Sequence, residues 1–300
     1  MRDVLCWWEV PFEELPFFAR MRYGLTMILM DGKAAAQKIL DALKQEAAAL
    51  AKKPRLAVVA VGEDPVIANF IAQKKKTADF VGAEMRVYPF PADIMTNALR
   101  KRIAEIVHEK KNTGVIIQLS LPAHINKQYI LNAIPLEKDA DVLSSRAVGN
   151  FATGKSPIMP PVAGAIKALF EEYEIDYQKK NIVILGAGAL VGRPMALWLM
   201  AEDRGFALIT EKTRDSQDIL READIVISGV GKPQSITGEM IKKGAVVIDA
   251  GTSESAGEMV GDVDADSVGA KAAFLTPVPG GVGPVTVAIL FKNLFILAQK

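Results

Sequence analysis

The sequence predicts an α/β chain in two units, each a parallel sheet with helices packed on its faces. Three observations carry that reading. Short continuous apolar runs recur, such as "RLAVVAV" (Arg55–Val61) and "NIVILG" (Asn181–Gly186), and such runs suit strands covered on both faces. Helical stretches alternate with them through short links, the strand–helix–strand order of parallel sheets. The alternation lapses from Pro135 to about Pro161, where Pro, Gly, Ser and Asp follow no period, and then restarts. The boundary between the units is placed in that stretch.

In order, "DGKAAAQKILDALKQEAAALAKK" opens the pattern with Ala35, Ile39, Ala42, Leu43 and Ala47 on one helical face. The strand Arg55–Val61 follows. A helix then starts at Pro65, with Asp64 as its N-cap. "EMRVYPF" reads as a strand, "MTNALRKRIAEIVHEKK" as a helix capped by Thr96, and "GVIIQL" (Gly114–Leu119) as a strand. This βαβαβ series is expected to fold as a three-layer α/β unit. In the second unit "NIVILG", "FALIT", "DIVISGV" and "AVVIDAG" are strands, and "ALVGRPMALWLMAED" and "SQDILREA" are helices. "TGEMIKKG" reads as a short helix and "GEMVGDV" as a hairpin arm. The last helix, "VTVAILFKNLFILAQ", is apolar nearly all round, but it is short and interrupted by Lys292 and Asn293. It should be buried, packed back on the first unit, rather than span a membrane.

Three hundred residues suffice for two domains, and 50% hydrophobic against 24% charged is a soluble composition. The formal charge is +1, without a basic or acidic block, so neither nucleic acid nor a membrane surface is expected as partner. The single cysteine, Cys6, excludes an internal disulfide and points to a reducing compartment, read here as the cytoplasm. With two separated histidines, His108 and His124, a Cys/His metal site is not expected. Residues 1–26 precede the pattern and hold Cys6, Trp7, Trp8 and three of the twelve phenylalanines. Glu9, Glu13, Glu14 and Arg20 interrupt them, so they are neither a signal-peptide core nor a spanning helix. Two readings stand: a short amphipathic segment for a membrane or partner, and an upstream extension with no part in the fold. The second is preferred, with the fold starting near Met27.

Several regions carry chemistry. Gly186-Ala187-Gly188-Ala189-Leu190-Val191-Gly192 lies between a strand and a helix inside the doubly wound pattern. Its glycines let the backbone turn sharply and approach a pyrophosphate at the helix N-terminus, the mark of a Rossmann-type dinucleotide site. Glu211 lies nineteen residues beyond Gly192, at the end of the next strand. An acidic residue there accepts from ribose hydroxyls and repels a 2′-phosphate. The plainer reading is a solvated charge, offset by Lys212 or Arg214.

In the first unit Lys74, Lys75 and Lys76 are successive, so on a helix they point about 100° apart. By spacing alone they read as a solvated run. Lys74, however, is four residues after Phe70 and shares its face. A lysine partly desolvated beside an aromatic ring has a lowered pKa that suits proton transfer. Gln118 ends a strand, and Asp139 and Asp141 sit in "EKDADVL". Open α/β sheets bind ligands at such strand ends, while a satisfied strand end and an Asx turn are the plainer readings. His108 and His124 read as an exposed helix residue and a loop residue. "TPVPGGVGPVT" (Thr276–Thr286) packs three prolines and three glycines into eleven residues directly before the last helix, more than an ordinary turn needs.

From about Met27 to the C-terminus these stretches together resemble the bifunctional methylenetetrahydrofolate dehydrogenase/methenyltetrahydrofolate cyclohydrolase family. "MDGKAAA" is similar to its opening, "FIAQKKK" to its Tyr-x-x-x-Lys segment, "QLSLP" to Gln-Leu-Pro-Leu-Pro and "KDAD" to Lys-Asp-Val-Asp. "GAGALVGRPM" is similar to its cofactor loop, and "TPVPGGVGPVT" to a highly specific loop that lines the folate cleft. The resemblance implies oxidation of 5,10-methylenetetrahydrofolate by hydride transfer to NAD or NADP, then hydrolysis of the methenyl cation to 10-formyltetrahydrofolate. It implies a cytoplasmic homodimer in one-carbon metabolism and purine biosynthesis. Lys74 falls on the catalytic lysine, Gln118 would hold it, and Asp141 would bind the pterin's amino edge. Phe70, Leu119, Pro277, Gly280, Gly281 and Val282 would line the folate site. Gly186, Ala187, Gly188, Val191, Gly192, Arg193, Glu211 and Thr252 would surround the dinucleotide. The units become a folate-binding catalytic domain at 27–150, completed by helix 284–300, and an NAD(P)-binding Rossmann domain at 151–283, after the extension 1–26.

This chain departs from the family pattern in four places. The family tyrosine is Phe70, which keeps a stacking face without a hydroxyl. Asp-Gly becomes Asp141-Val142, which restricts the backbone. Pro-Cys-Thr-Pro-x-Gly reads Met159–Gly164. Ala187 and Glu211 stand where Arg or Ser commonly face a 2′-phosphate, so NAD is expected over NADP.

Overall fold

The structure, a computed structural model, describes residues 27–255 and 258–299. The readings of residues 1–26 lie outside the described residues. The chain enters through the second sheet: strand β1 (Ile28–Leu29) pairs in parallel with the late strand β11 (Phe274–Leu275) at the sheet's edge. Helix α1 (Gly32–Ala49) follows, capped by Asp31, whose carboxylate accepts from Lys33 N at 2.8 Å and Ala34 N at 3.1 Å. Of the face read from sequence, Ala35 and Leu43 are buried and Ile39 and Ala47 half-buried, but Ala42 is exposed. The buried stripe instead takes in Gly32 and Ala36, because the last helix of the chain packs on that side.

The first sheet has the order β3-β2-β4, from β2 (Arg55–Val61), β3 (Glu84–Phe90) and β4 (Gly114–Ile117), all parallel. Central β2 is buried from Leu56 to Val61, as a strand covered on both faces must be. Helix α2 (Pro65–Val81) starts on its proline, with Asp64 accepting from Ile67 N at 3.1 Å. Helix α3 (Thr96–His108) differs from its reading. Met95 is the N-cap residue, and the Thr96 hydroxyl accepts instead from Asn126 N at 3.2 Å, tying the helix to the loop before α4 (Lys127–Leu131).

The stretch that reads as irregular also contains α5 (Ser145–Ala152), and α6 (Pro161–Glu172) follows it directly. Helix α6 buries Ala163, Gly164, Ala165, Ile166, Leu169 and Phe170. The second sheet has the order β1-β11-β8-β7-β5-β6, with β5 (Ile182–Leu185), β6 (Phe206–Ile209), β7 (Ile225–Ser228) and β8 (Val246–Asp249), all in parallel register. Helix α7 (Gly192–Ala201) follows β5 and α8 (Ser216–Arg221) follows β6. "TGEMIKKG" forms only a 3₁₀ turn at Gly238–Met240. β9 (Ser253–Ser255) and β10 (Glu258–Val260) make an antiparallel hairpin, and α9 (Ala265–Gly269) leads into β11. From β5 the chain moves out to β6 and returns to β7 on the other side, so the strand order reverses at β5 and opens a crevice at its carboxyl end.

Helix α10 (Val282–Ala298) joins the two units. Val282, Val285, Ala288 and Ile289 share an apolar cluster with β5 and β7, while Leu290, Phe291, Leu294, Phe295 and Leu297 share another with β2. Asn293, buried in the middle, donates to Ala140 O at 2.9 Å and to Met159 O at 2.8 Å. Among the described residues no helix is long and apolar enough to cross a membrane.

Candidate active site

Of the three successive lysines, Lys75 and Lys76 are exposed and Lys74 is half-buried. Its Nζ lies 5.9 Å from the Phe70 ring centroid and donates to Gln118 Oε1 at 3.1 Å. Gln118, one residue beyond β4, donates its Nε2 to Leu119 O at 2.9 Å and its backbone N to Val59 O at 2.8 Å. Both ends of the amide are therefore occupied, which turns the oxygen to the lysine. Burial lowers the Lys74 pKa from its ordinary 10.5, with the Asp141 carboxylate opposing part of the shift. Burial likewise pushes Asp141 up to about 7, against the attraction of Lys74 and with help from Asp139.

The turn that carries Asp141 is built by Asp139. Its carboxylate accepts from Ser144 N at 2.8 Å and Leu143 N at 3.3 Å, and its backbone O accepts from Val142 N at 3.3 Å. Val142 sits at a φ of 57°, a region a β-branched residue rarely enters. An amine that sheds its proton early and a carboxyl that keeps its own until near-neutral pH can exchange protons with a bound substrate.

In the second unit Gly186 has a φ of 90°, and a Cβ at Gly192 would lie 1.8 Å from Gly186 O. Position 188 differs: the nearest atom to a Cβ there is Gly229 O at 3.9 Å, so the loop is open on that side. Arg193 N donates to Gly188 O at 3.0 Å as α7 begins, and the side chain is exposed. Val191 packs on Gly229, where a Cβ would come within 2.4 Å of it. A cradle closed at Gly186 and Gly192, open at Gly188 and ending in a helix N-terminus fits a dinucleotide pyrophosphate. Glu211 is exposed just past β6 and is ion-paired with Lys232, a residue the sequence reading passes over. Ala187, past β5, and Thr252, past β8, are also exposed, with β7 lying between their strands.

The Pro/Gly loop closes on itself through Gly281 N to Pro277 O at 2.8 Å, with Gly280 at a φ of 113°. It presses on the start of α1, where a Cβ at Gly32 would lie 1.7 Å from Gly281 O. Before it, the Thr276 hydroxyl accepts from Asp249 N at 2.7 Å. Phe70, Lys74, Gln118, Leu119 and Asp141 thus form one cluster, whereas the close contacts of Pro277, Gly280, Gly281 and Val282 run to α1 and the joint helix α10.

Residues 30–141 match the catalytic domain of the tetrahydrofolate dehydrogenase/cyclohydrolase family, and residues 160–300 match its NAD(P)-binding domain. The chain belongs to that family. It is 40% identical over 280 residues to the bifunctional protein FolD of Sulfurihydrogenibium sp. (strain YO3AOP1), covering 91% of this chain and 98% of that one. The solved FolD of Campylobacter jejuni superposes with a TM-score of 0.87 at 36% identity, over 91% of this chain and 99% of that one. The Trypanosoma brucei FolD, solved with NADP cofactor and an inhibitor, gives 0.86 at 35% identity, over 91% and 97%. Within this tetrahydrofolate dehydrogenase/cyclohydrolase frame, Lys232, Asn293 and the buried pair Asp249 and Asp262 make contacts that the sequence alone does not assign. The first could have been found from "SGVGKP", a further glycine-rich strand end beside the crevice.

Proposed function

We propose that the chain oxidises 5,10-methylenetetrahydrofolate to 5,10-methenyltetrahydrofolate with a nicotinamide dinucleotide, and hydrolyses the product to 10-formyltetrahydrofolate. The observation that carries the reading is the desolvated Lys74 ammonium held on Gln118 Oε1 at 3.1 Å, with Asp141 close enough to shift its pKa. When bound, the nicotinamide supplies a hydride acceptor for the folate's methylene carbon. Phe70 offers a ring face to the pterin, and Asp141 meets its amino edge. Hydrolysis adds water to the methenyl carbon, opens the bond to N5 and releases one proton net. Lys74, as the free amine, takes a proton from the attacking water, while Gln118 fixes where that amine points. Leu119 and the Pro277–Val282 loop line the folate side. The Gly186–Gly192 loop, Arg193 and Thr252 hold the dinucleotide.

The reading assigns 27–150, completed by helix 284–300, to folate and 151–283 to the dinucleotide. Resemblance to the family supports a cytoplasmic homodimer that serves purine biosynthesis. NAD is preferred over NADP: the Glu211 carboxylate can accept from the adenosine ribose hydroxyls, and Ala187 brings no cation toward a 2′-phosphate. A spectrophotometric assay with methylenetetrahydrofolate and each nicotinamide tests the first step. Lys74→Ala tests the second and should abolish methenyl hydrolysis while the protein stays folded. Hydrolysis near the wild-type rate in that variant would remove Lys74 from its role.

A further inference from the structure

Glu211 does not stand alone at the crevice. Its carboxylate is ion-paired with Lys232 Nζ, and the two side chains come from loops on opposite sides of β5, since the local strand order is β7-β5-β6. Neighbouring strands lie about 4.8 Å apart, so the ends of β6 and β7 are about 10 Å apart and the pair spans the carboxyl edge of β5, where the glycine loop begins.

Lys232 is placed there by a buried anchor. Asp262 is fully buried, and its carboxylate accepts from Ser228 Oγ at 2.7 Å, Val230 N at 2.9 Å and Lys232 N at 3.0 Å. Asp262 N in turn donates to Asp249 Oδ1 at 3.1 Å. Gly229 N donates to Leu185 O at 3.1 Å, and Gly231, at a φ of 69°, turns the chain between them. The backbone under Lys232 is therefore fixed against β5, and only its side chain is free to choose a partner. Lys212 and Arg214, the cations next to Glu211 in sequence, form no ion pair among the described residues.

We propose that Lys232 is the specificity-determining residue for the adenosine 2′ position. One Glu211 oxygen holds the ammonium, leaving the other for a ribose hydroxyl. When a 2′-phosphate arrives, the ammonium transfers from the carboxylate to the phosphate and reduces the repulsion that Glu211 alone would exert. This deepens the cofactor reading above and rests on the glycine loop being the dinucleotide site.

Calorimetric binding of 5′-AMP and of adenosine 2′,5′-bisphosphate tests it without the reaction. Lys232→Met keeps the backbone N–H that Asp262 uses. It should weaken the bisphosphate by about tenfold or more, the worth of one charge-assisted hydrogen bond, and leave 5′-AMP unchanged. Glu211→Ser should tighten the bisphosphate, and Glu211→Ser with Lys232→Met should cancel most of that gain. Equal weakening of both nucleotides, or no weakening of either, would overturn the role of Lys232 alone. If the wild type binds neither nucleotide yet still hydrolyses methenyltetrahydrofolate, the dinucleotide reading itself falls and this inference with it.

Discussion

Lys74 and Asp141 are moved toward neutrality from opposite ends of the pH scale, and burial is the main cause for both. For Asp141 the consequence for stability has a definite sign. Its carboxyl titrates near 3.8 when solvated and near 7 in the fold. Between those values the folded chain holds a proton that the unfolded chain has lost, so stability falls as pH rises through that window and levels off above it. Asp141→Asn removes this penalty together with the carboxyl. The variant should melt higher than wild type at pH 8 and alike at pH 4, while losing folate turnover. If it melts no higher at pH 8, attraction to Lys74 outweighs burial. Phe70 carries a second prediction. Phe70→Tyr restores the family hydroxyl, and one hydrogen bond to a polarised partner is worth about 1.5–3 kcal/mol, so turnover should rise by about tenfold or more. Flat or lower kcat for both activities would show a cleft fitted to phenylalanine.

Strands and helices with a clean period were legible in the sequence, and the joints between them were not. β2, β5 and β7 announce themselves as continuous apolar runs, and Asp64-Pro65 marks a helix start. Helix α6 goes unread behind Pro160-Pro161, which close the irregular stretch; its Gly164 is there because Ile289 of α10 packs where a Cβ would be, at 2.8 Å. β1 and β11 have two residues each, too few for any period, and pair across nearly the whole chain. In the candidate site, spacing puts Lys74 on the face of Phe70 but still reads the three lysines as a solvated run, and it is the family resemblance that singles Lys74 out; Lys232 could not be paired with Glu211, because the ion pair depends on strand order. Asn293 reads as an interruption of an apolar helix. It is the residue that holds Ala140, next to Asp141, and each buried carbonyl left without its donor costs about 1–3 kcal/mol. Asn293→Leu should therefore lower the denaturant midpoint despite adding apolar surface, and hydrolysis should fall further than the loss of folded protein explains. An unchanged midpoint would mean that those carbonyls find other donors.

At the scale of the whole molecule, the proposed oxidation needs both units, whereas the proposed hydrolysis needs only the first. Lys74, Gln118 and Asp141 belong to the first unit and the glycine loop to the second, and α10 packs on the cores of both. Methenyl hydrolysis consumes no dinucleotide, so a block at the glycine loop should separate the activities. Gly188 is the position at which to place it. A Cβ at Gly192 would collide with Gly186 O at 1.8 Å and break the loop, but a Cβ at Gly188 meets nothing nearer than Gly229 O at 3.9 Å. Gly188→Val should thus fold normally and fill the space through which a pyrophosphate approaches. Its melting temperature and methenyl hydrolysis should match wild type, while nucleotide binding and dehydrogenase activity are lost. Phe291→Ala is the contrasting case. Phe291 is fully buried in α10, within the cluster shared with β2, and its loss should cost about 3–5 kcal/mol. Both activities should then fall together with the melting temperature. If Gly188→Val instead lowers hydrolysis in step with oxidation, the second sheet contributes to the folate chemistry and the two sites are not separable.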